Sequence, residues 1–198
     1  MLYIREDIQH ISQQQLQEAL ARLPDWRREQ ALRFKHTLGQ TECAFSYLML
    51  CEGLQRDFGI IAQPHFLVGE HGKPTLQEYP EIHFNISHCK AGIAVAIDHR
   101  PIGVDIECVG RGNDSLARHV LNDEEYMRVQ GASDPGIEFT KLWTRKEALV
   151  KLTGRGITDD LRQLLTLPIY NNVEFVTRVN PEKGYVLSLA QYRECEQM

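Results

Sequence analysis

No run of apolar residues in this 198-residue chain approaches the roughly 20 that a membrane span requires. Its first residues, Met1-Leu2-Tyr3-Ile4-Arg5-Glu6-Asp7, lack a basic start followed by an apolar stretch, so no signal peptide is expected. A CxxC pair is also missing. The five cysteines, at 43, 51, 89, 108 and 195, are dispersed and odd in number, which argues against a disulfide framework or a zinc site and suits a reducing cytosol. Positive charge is not in excess: a net charge of −5 supplies no general drive toward nucleic acid or a membrane surface. No repeat or low-complexity tract is visible. What remains is an ordinary globular composition, 42% apolar, in a length that suits one domain or two small, tightly joined halves.

The pattern of residues predicts a mixed order of elements. A first strand is expected at residues 2–4, a helix capped by Ser12 to about Leu23, and a second helix from Pro24 to near His36. Residues 40–58 read as a long helix, with Ala44, Tyr47, Leu48, Cys51 and Leu54 at helical spacing. Short strands follow at 64–68, 82–87, 92–98 and 102–108. A polar loop at 110–114 is expected to open the second half, giving halves of 1–109 and 110–198. Two more helices, 123–129 and one from Pro135 through Thr153, precede a closing strand pair at 173–179 and 185–192.

Four segments carry chemistry. In Gly103-Val104-Asp105-Ile106-Glu107, strand alternation puts Asp105 and Glu107 on one face and Val104 and Ile106 on the other. In Trp143-Thr144-Arg145-Lys146-Glu147-Ala148-Leu149-Val150-Lys151, a helix puts Lys151 one turn beyond Glu147. If the two pack together, three carboxylates can hold a hard cation while lysines hold phosphate beside it. In Phe84-Asn85-Ile86-Ser87-His88-Cys89, the side chains Asn85, Ser87 and Cys89 share one face, and Ser87 and His88 sit at a strand end. Adjacent strand residues face opposite ways, so a Ser-His hydrolase pair is disfavoured. In Gly72-Lys73-Pro74, glycine permits a tight turn and proline stiffens the chain after a lysine. Taken singly, each segment also suits a plain strand, turn or solvated ion pair; it is their joint occurrence that points to phosphate chemistry.

In this order, the four segments resemble the signature of the 4′-phosphopantetheinyl transferases, and specifically the larger Sfp-type group, over residues 72–151. The resemblance implies an α+β fold of two similar halves related by a pseudo-twofold axis, with the active site between them. It implies transfer of the phosphopantetheine arm of coenzyme A to a serine of a carrier protein, with release of adenosine 3′,5′-bisphosphate. Asp105, Glu107 and Glu147 are then expected to hold Mg²⁺, and Lys151 to stabilise the leaving group. Lys146 is expected near the phosphates. Either Glu147, acting through a water, or Glu125 is the candidate base. The acidic run Asp123-Glu124-Glu125 is equally an ordinary helix start. Coenzyme A contacts fall to Lys73 and Pro74 on the adenine side, and to Ser87 and His88 at the 3′-phosphate or ribose.

The chain departs from the pattern at one end. Residues 40–46 contain no arginine where the family often has one, leaving Arg27 as the candidate for the 3′-phosphate. The implied partner is an acidic carrier domain, for which Arg111 and Arg118 are candidate contacts. A cytoplasmic monomer is expected. Two other classes stay open, a non-catalytic module that binds coenzyme A or a carrier, and a metal-dependent phosphohydrolase.

Overall fold

A computed structural model describes residues 1–110, 114–156 and 160–194. The chain begins with strand β1 (Leu2–Glu6), followed by helices α1 (Gln13–Ala21), α2 (Asp25–Leu32) and α3 (Thr37–Phe58). Ser12 starts α1 as a capping box: its hydroxyl accepts from the Gln15 amide while the Gln15 side chain accepts from the Ser12 amide. A short hairpin, β2 (Phe66–Val68) and β3 (Pro74–Leu76), leads to β4 (His83–Cys89) and β5 (Gly92–Asp98). The second stretch repeats this plan. Strand β6 (Ile102–Cys108) is followed by α4 (Asp114–Val120), α5 (Asp123–Gln130), the long α6 (Pro135–Thr153), β7 (Val173–Asn180) and β8 (Tyr185–Tyr192).

The two antiparallel sheets have matching connectivity. The first is ordered β1-β5-β4 and the second β6-β8-β7, so in each the last strand of the unit inserts between the first and the second. Sheet membership divides the chain between β5 and β6, so Gly110 falls inside the second unit.

Strand alternation builds the core between the layers. Ile93, Val95 and Ile97 of β5 face Leu50 and Leu54 of α3. Ala94 and Ala96 of the same strand join Leu2 and Ile4 in facing Val104, Ile106 and Leu187 of the second sheet. The outer face of that sheet is covered by Ala148, Leu149 and Leu152 of α6. Each buried valine, leucine or isoleucine among them contributes about 1.5–3 kcal/mol. Gly103 sets how closely α6 lies on β6: a Cβ there would stand 2.0 Å from the Ala148 carbonyl oxygen. Any side chain at 103 must therefore displace the helix.

Several elements differ from expectation. α2 stops at Leu32 rather than near His36. α4 begins at Asp114, the last residue of the loop expected at 110–114, of which 111–113 lie outside the described residues. β3 was not expected; three residues starting with proline give too short a pattern to read, and proline suits only an edge. No helix among the described residues is long and apolar enough to cross a membrane.

Candidate active site

Strands β4 and β6 lie side by side but belong to different sheets, and side chains join them. Asn85 Oδ1 accepts the Val104 amide at 2.8 Å, and Ser87 Oγ accepts the Ile106 amide at 3.3 Å. Alternation along β4 delivers both side chains to the same face. The Ser87 hydroxyl also donates to Asp105 Oδ1 at 2.8 Å. From α6, Lys151 Nζ donates to Asp105 Oδ1 at 2.6 Å and to Ser87 Oγ at 2.9 Å. The Ser87 oxygen thus uses one donor and both acceptor positions.

Asp105 is 3% exposed, and its second oxygen, Oδ2, is buried with no hydrogen-bond partner among the described residues. A buried carboxylate oxygen without a partner is costly, and a cation is the partner that offsets it best. Glu147, on the face of α6 that also carries Lys151, has its carboxyl pushed above the usual range. Burial is the main cause, followed by the Asp105 carboxylate; Glu107 adds to it and Lys151 opposes it. Asp105 and Glu107 therefore both act electrostatically on Glu147. Among the described residues the three carboxylates do not close into a group arranged to hold a metal ion. In this arrangement the Lys151 ammonium offsets the Asp105 charge.

Lys146, expected near the phosphates, has its ammonium committed within the chain. It is fully buried, and its ammonium donates to Glu125 Oε2 at 2.8 Å and to the Leu161 carbonyl at 2.7 Å. Helical geometry explains this, because residues five apart are rotated by roughly 140°, so Lys146 and Lys151 leave α6 in different directions. Glu125 is committed as well: it accepts the Asn122 amide at 3.0 Å in a capping box that starts α5. Burial pulls the Lys146 ammonium below its usual range, and Glu125 opposes that shift.

Lys73, on the turn between β2 and β3, reaches into the end of α6. Its Nζ donates to the carbonyls of Lys151 at 2.7 Å, Leu152 at 3.0 Å and Ile102 at 3.3 Å. Gly154, the left-handed residue ending α6, leaves room for it; a Cβ there would lie 2.9 Å from Lys73 Cδ. Beside this clamp, Lys73, Pro74, Asn85 and Lys151 line a cavity of about 230 Å³. Pro74 also borders a larger cavity of about 580 Å³ walled by Trp26, Tyr47, Phe66 and Phe84, with Arg27 at its edge. Arg27 and His88 share a third cavity, of about 280 Å³, with Glu42 and Ser46. Arg27 is held by Gln30 and the Cys43 carbonyl, while its Nε is buried and unpartnered. His88 Nδ1 stands 3.4 Å from Glu42 Oε1.

Sequence reasoning missed Trp26, Phe66, Glu42 and Asn85. Only for Asn85 was a signal present, its place on the same strand face as Ser87. Arg118 is already engaged, donating to Asp114 at 2.9 Å and to the Tyr126 hydroxyl at 2.7 Å. Arg111 lies outside the described residues.

Residues 101–193 match the model of the 4′-phosphopantetheinyl transferase superfamily. That stretch begins just before β6 and contains Asp105, Glu107, Glu125, Lys146, Glu147 and Lys151. A 4′-phosphopantetheinyl transferase of Bacillus subtilis is 29% identical over 178 residues, covering 82% of this chain and 79% of the relative. The chain is similar to the 4′-phosphopantetheinyl transferases. The Sfp enzyme of Bacillus subtilis strain 168 is 26% identical over 151 residues, 75% of this chain and 67% of the relative. The transferase AcpT of Salmonella typhimurium is 34% identical over 110 residues, 53% of this chain and 57% of the relative.

Proposed function

We propose that this chain transfers the 4′-phosphopantetheine group of coenzyme A to a serine hydroxyl of an acyl or peptidyl carrier protein, releasing adenosine 3′,5′-bisphosphate. The observation that carries the reading is the seam between β4, β6 and α6. There the unpartnered Asp105 oxygen stands in a field shared with Glu147 and Glu107, with the Lys151 ammonium alongside.

The donor set fits a hard divalent cation, which takes oxygen ligands and shares substrate phosphate. Asp105, Glu107 and Glu147 would hold Mg²⁺, which when bound offsets charge on the coenzyme A pyrophosphate. The remaining work falls to the chain itself. Lys151 has three N–H donors and commits two of them to Asp105 and Ser87, so the third can meet the phosphate oxygen on which charge develops. Ser87 is a positioning residue that fixes both Asp105 and Lys151. Glu125 is tied to Lys146 and the Asn122 amide, which favours Glu147 as the base that takes the serine proton. Lys146 would then position α5 rather than touch phosphate.

The cavities beside Pro74, Arg27 and His88 are of a size and lining suited to a nucleotide. Lys73 and Pro74 would border the adenine side, and Arg27 with His88 the 3′-phosphate. The repeated connectivity of the two units supports a pseudo-twofold arrangement with the site between them. Carrier docking near Arg118, a monomeric state and a cytoplasmic location complete the reading.

Intact mass spectrometry of a purified apo carrier protein tests it, with coenzyme A and Mg²⁺ and with an EDTA control. A gain of one phosphopantetheine arm, abolished by EDTA, is expected. No gain with carriers from several pathways, while coenzyme A still binds, would overturn transfer in favour of a binding module.

A further inference from the structure

The side-chain bonds that join β4 to β6 keep a constant offset. Asn85 meets Val104 and Ser87 meets Ile106, each 19 residues apart. One more step along the same face brings Cys89 opposite Cys108. The two free thiols join one packed cluster of the core between the sheets. Cys89 is buried and Cys108 partly exposed, and both border a cavity of about 680 Å³ that reaches His88 and Lys90. The other described cysteines, Cys43 and Cys51, lie on α3. Neither Cys89 nor Cys108 has a part in the transfer chemistry above.

We infer that Cys89 and Cys108 form a reversible disulfide that fastens β4 to β6 beside Glu107 and switches the site off. The inference about activity rests on the transferase reading; the cross-link itself does not. Two S–H bonds break and one S–S bond forms. The two electrons and two protons pass to a hydroperoxide, which becomes an alcohol (or water) and one water. Cys108, the more accessible thiol, meets the oxidant from the cavity, and Cys89 closes the bond. An S–S bond of about 2.05 Å is much shorter than any thiol–thiol contact, so closure draws the strand ends together. Glu107 is the residue before Cys108 and moves with it, away from its relation to Asp105 and Glu147. A dithiol reductant reverses the change by exchange.

The test treats the full chain with hydrogen peroxide and maps its peptides by mass spectrometry without reduction, beside a transfer assay. A linked Cys89–Cys108 peptide is expected, together with at least a fivefold loss of transfer rate that dithiothreitol restores. Cys108→Ser should keep its rate through the same treatment, while Cys43→Ser should behave like wild type. Because Cys89 is buried, the exposed-side variant carries the comparison. Mn²⁺ binding followed by electron paramagnetic resonance reads the switch without turnover, and should weaken at least fivefold on oxidation. If the reduced protein proves inactive on every carrier, the transferase reading fails and Mn²⁺ binding decides the switch. Absence of the linked peptide, or a linked chain with unchanged Mn²⁺ affinity and rate, would overturn the proposal.

Discussion

The Ser87 hydroxyl donates to Asp105 Oδ1 at 2.8 Å, and through that bond a residue of the first sheet fixes a carboxylate of the second. The same oxygen accepts the Ile106 amide and the Lys151 ammonium. Ser87→Ala therefore strands a buried amide and loosens two site residues together. A cost of about 1–3 kcal/mol is expected from the unsatisfied group. Urea unfolding should show this loss, and kcat should fall by about tenfold, the equivalent of ~1.4 kcal/mol. An alanine variant with wild-type stability and kcat would mean that the hydroxyl neither supports the seam nor positions Asp105.

Removing the carboxylate itself should separate chemistry from folding. Asp105→Asn keeps the side-chain shape and can still accept from Ser87 and Lys151 at its remaining oxygen. It deletes the charge that would hold a cation. Transfer should fall by about 10³-fold or more, the equivalent of ~4 kcal/mol, while the unfolding midpoint changes little. Near-normal transfer with Mg²⁺ present would refute the assignment of Asp105 as a metal ligand.

How far such a site was legible in the chain depended on whether its parts were local. Strands β5, β6 and β8 match their predicted bounds because alternation over seven or eight residues is a strong signal. Helix α6 matches too, since Pro135 and Gly154 punctuate it. The faces carrying Asp105 and Glu107, and Glu147 and Lys151, follow from period alone. Lys146 did not follow, because the period fixes only its angle from Lys151, and α5 decides what lies there. The face of Asn85 was legible from its alternation with Ser87, but its partner, an amide in another sheet, was not. The glycine of the Gly103–Glu107 motif gave no local hint of its role, which depends on the nearness of the α6 backbone.

Lys151 distinguishes a residue that stabilises a leaving group from one that merely binds phosphate. Its ammonium is partly exposed and anchored on Asp105 and Ser87. Lys151→Ala should lower kcat by about 10²-fold or more while the Kd for coenzyme A rises only a few-fold, because stabilisation given only in the transition state appears in kcat. Single-turnover kinetics with titration calorimetry separates the two. A variant that loses coenzyme A affinity but keeps its single-turnover rate would make Lys151 a binding residue alone.

The Lys146–Glu125 pair should announce itself in stability rather than in substrate affinity. Both groups are buried and each holds further polar atoms. Breaking a buried pair from one side leaves the other charge uncompensated, at a cost of about 3–5 kcal/mol. Lys146→Ala should therefore unfold at distinctly lower urea, whereas Lys146→Met combined with Glu125→Gln should recover much of the loss. The KM for coenzyme A should change little in the double variant. A large rise in KM without a stability change would return Lys146 to the phosphate site.

Lys73 predicts a pH dependence with a definite sign. Burial pulls its ammonium down to about 8 from 10.5, although its three carbonyl contacts favour the charged form. In the unfolded chain the lysine holds its proton up to the ordinary value. Between about pH 8 and 10.5 the unfolded state thus binds more protons, and stability from this group rises with pH. The burial cost, up to roughly 3 kcal/mol for a shift of this size, is fully present below pH 8 and is relieved through that window. Lys73→Met removes both the titration and the three bonds to the end of α6. Urea unfolding of wild type and variant at pH 7.5 and 9.5 cancels the contributions of other titrating groups common to both. The stability difference between the two proteins should shift in favour of wild type at the higher pH. A constant difference would mean that Lys73 keeps its ordinary ionisation in the folded chain, and that the carbonyls at the end of α6 outweigh its burial.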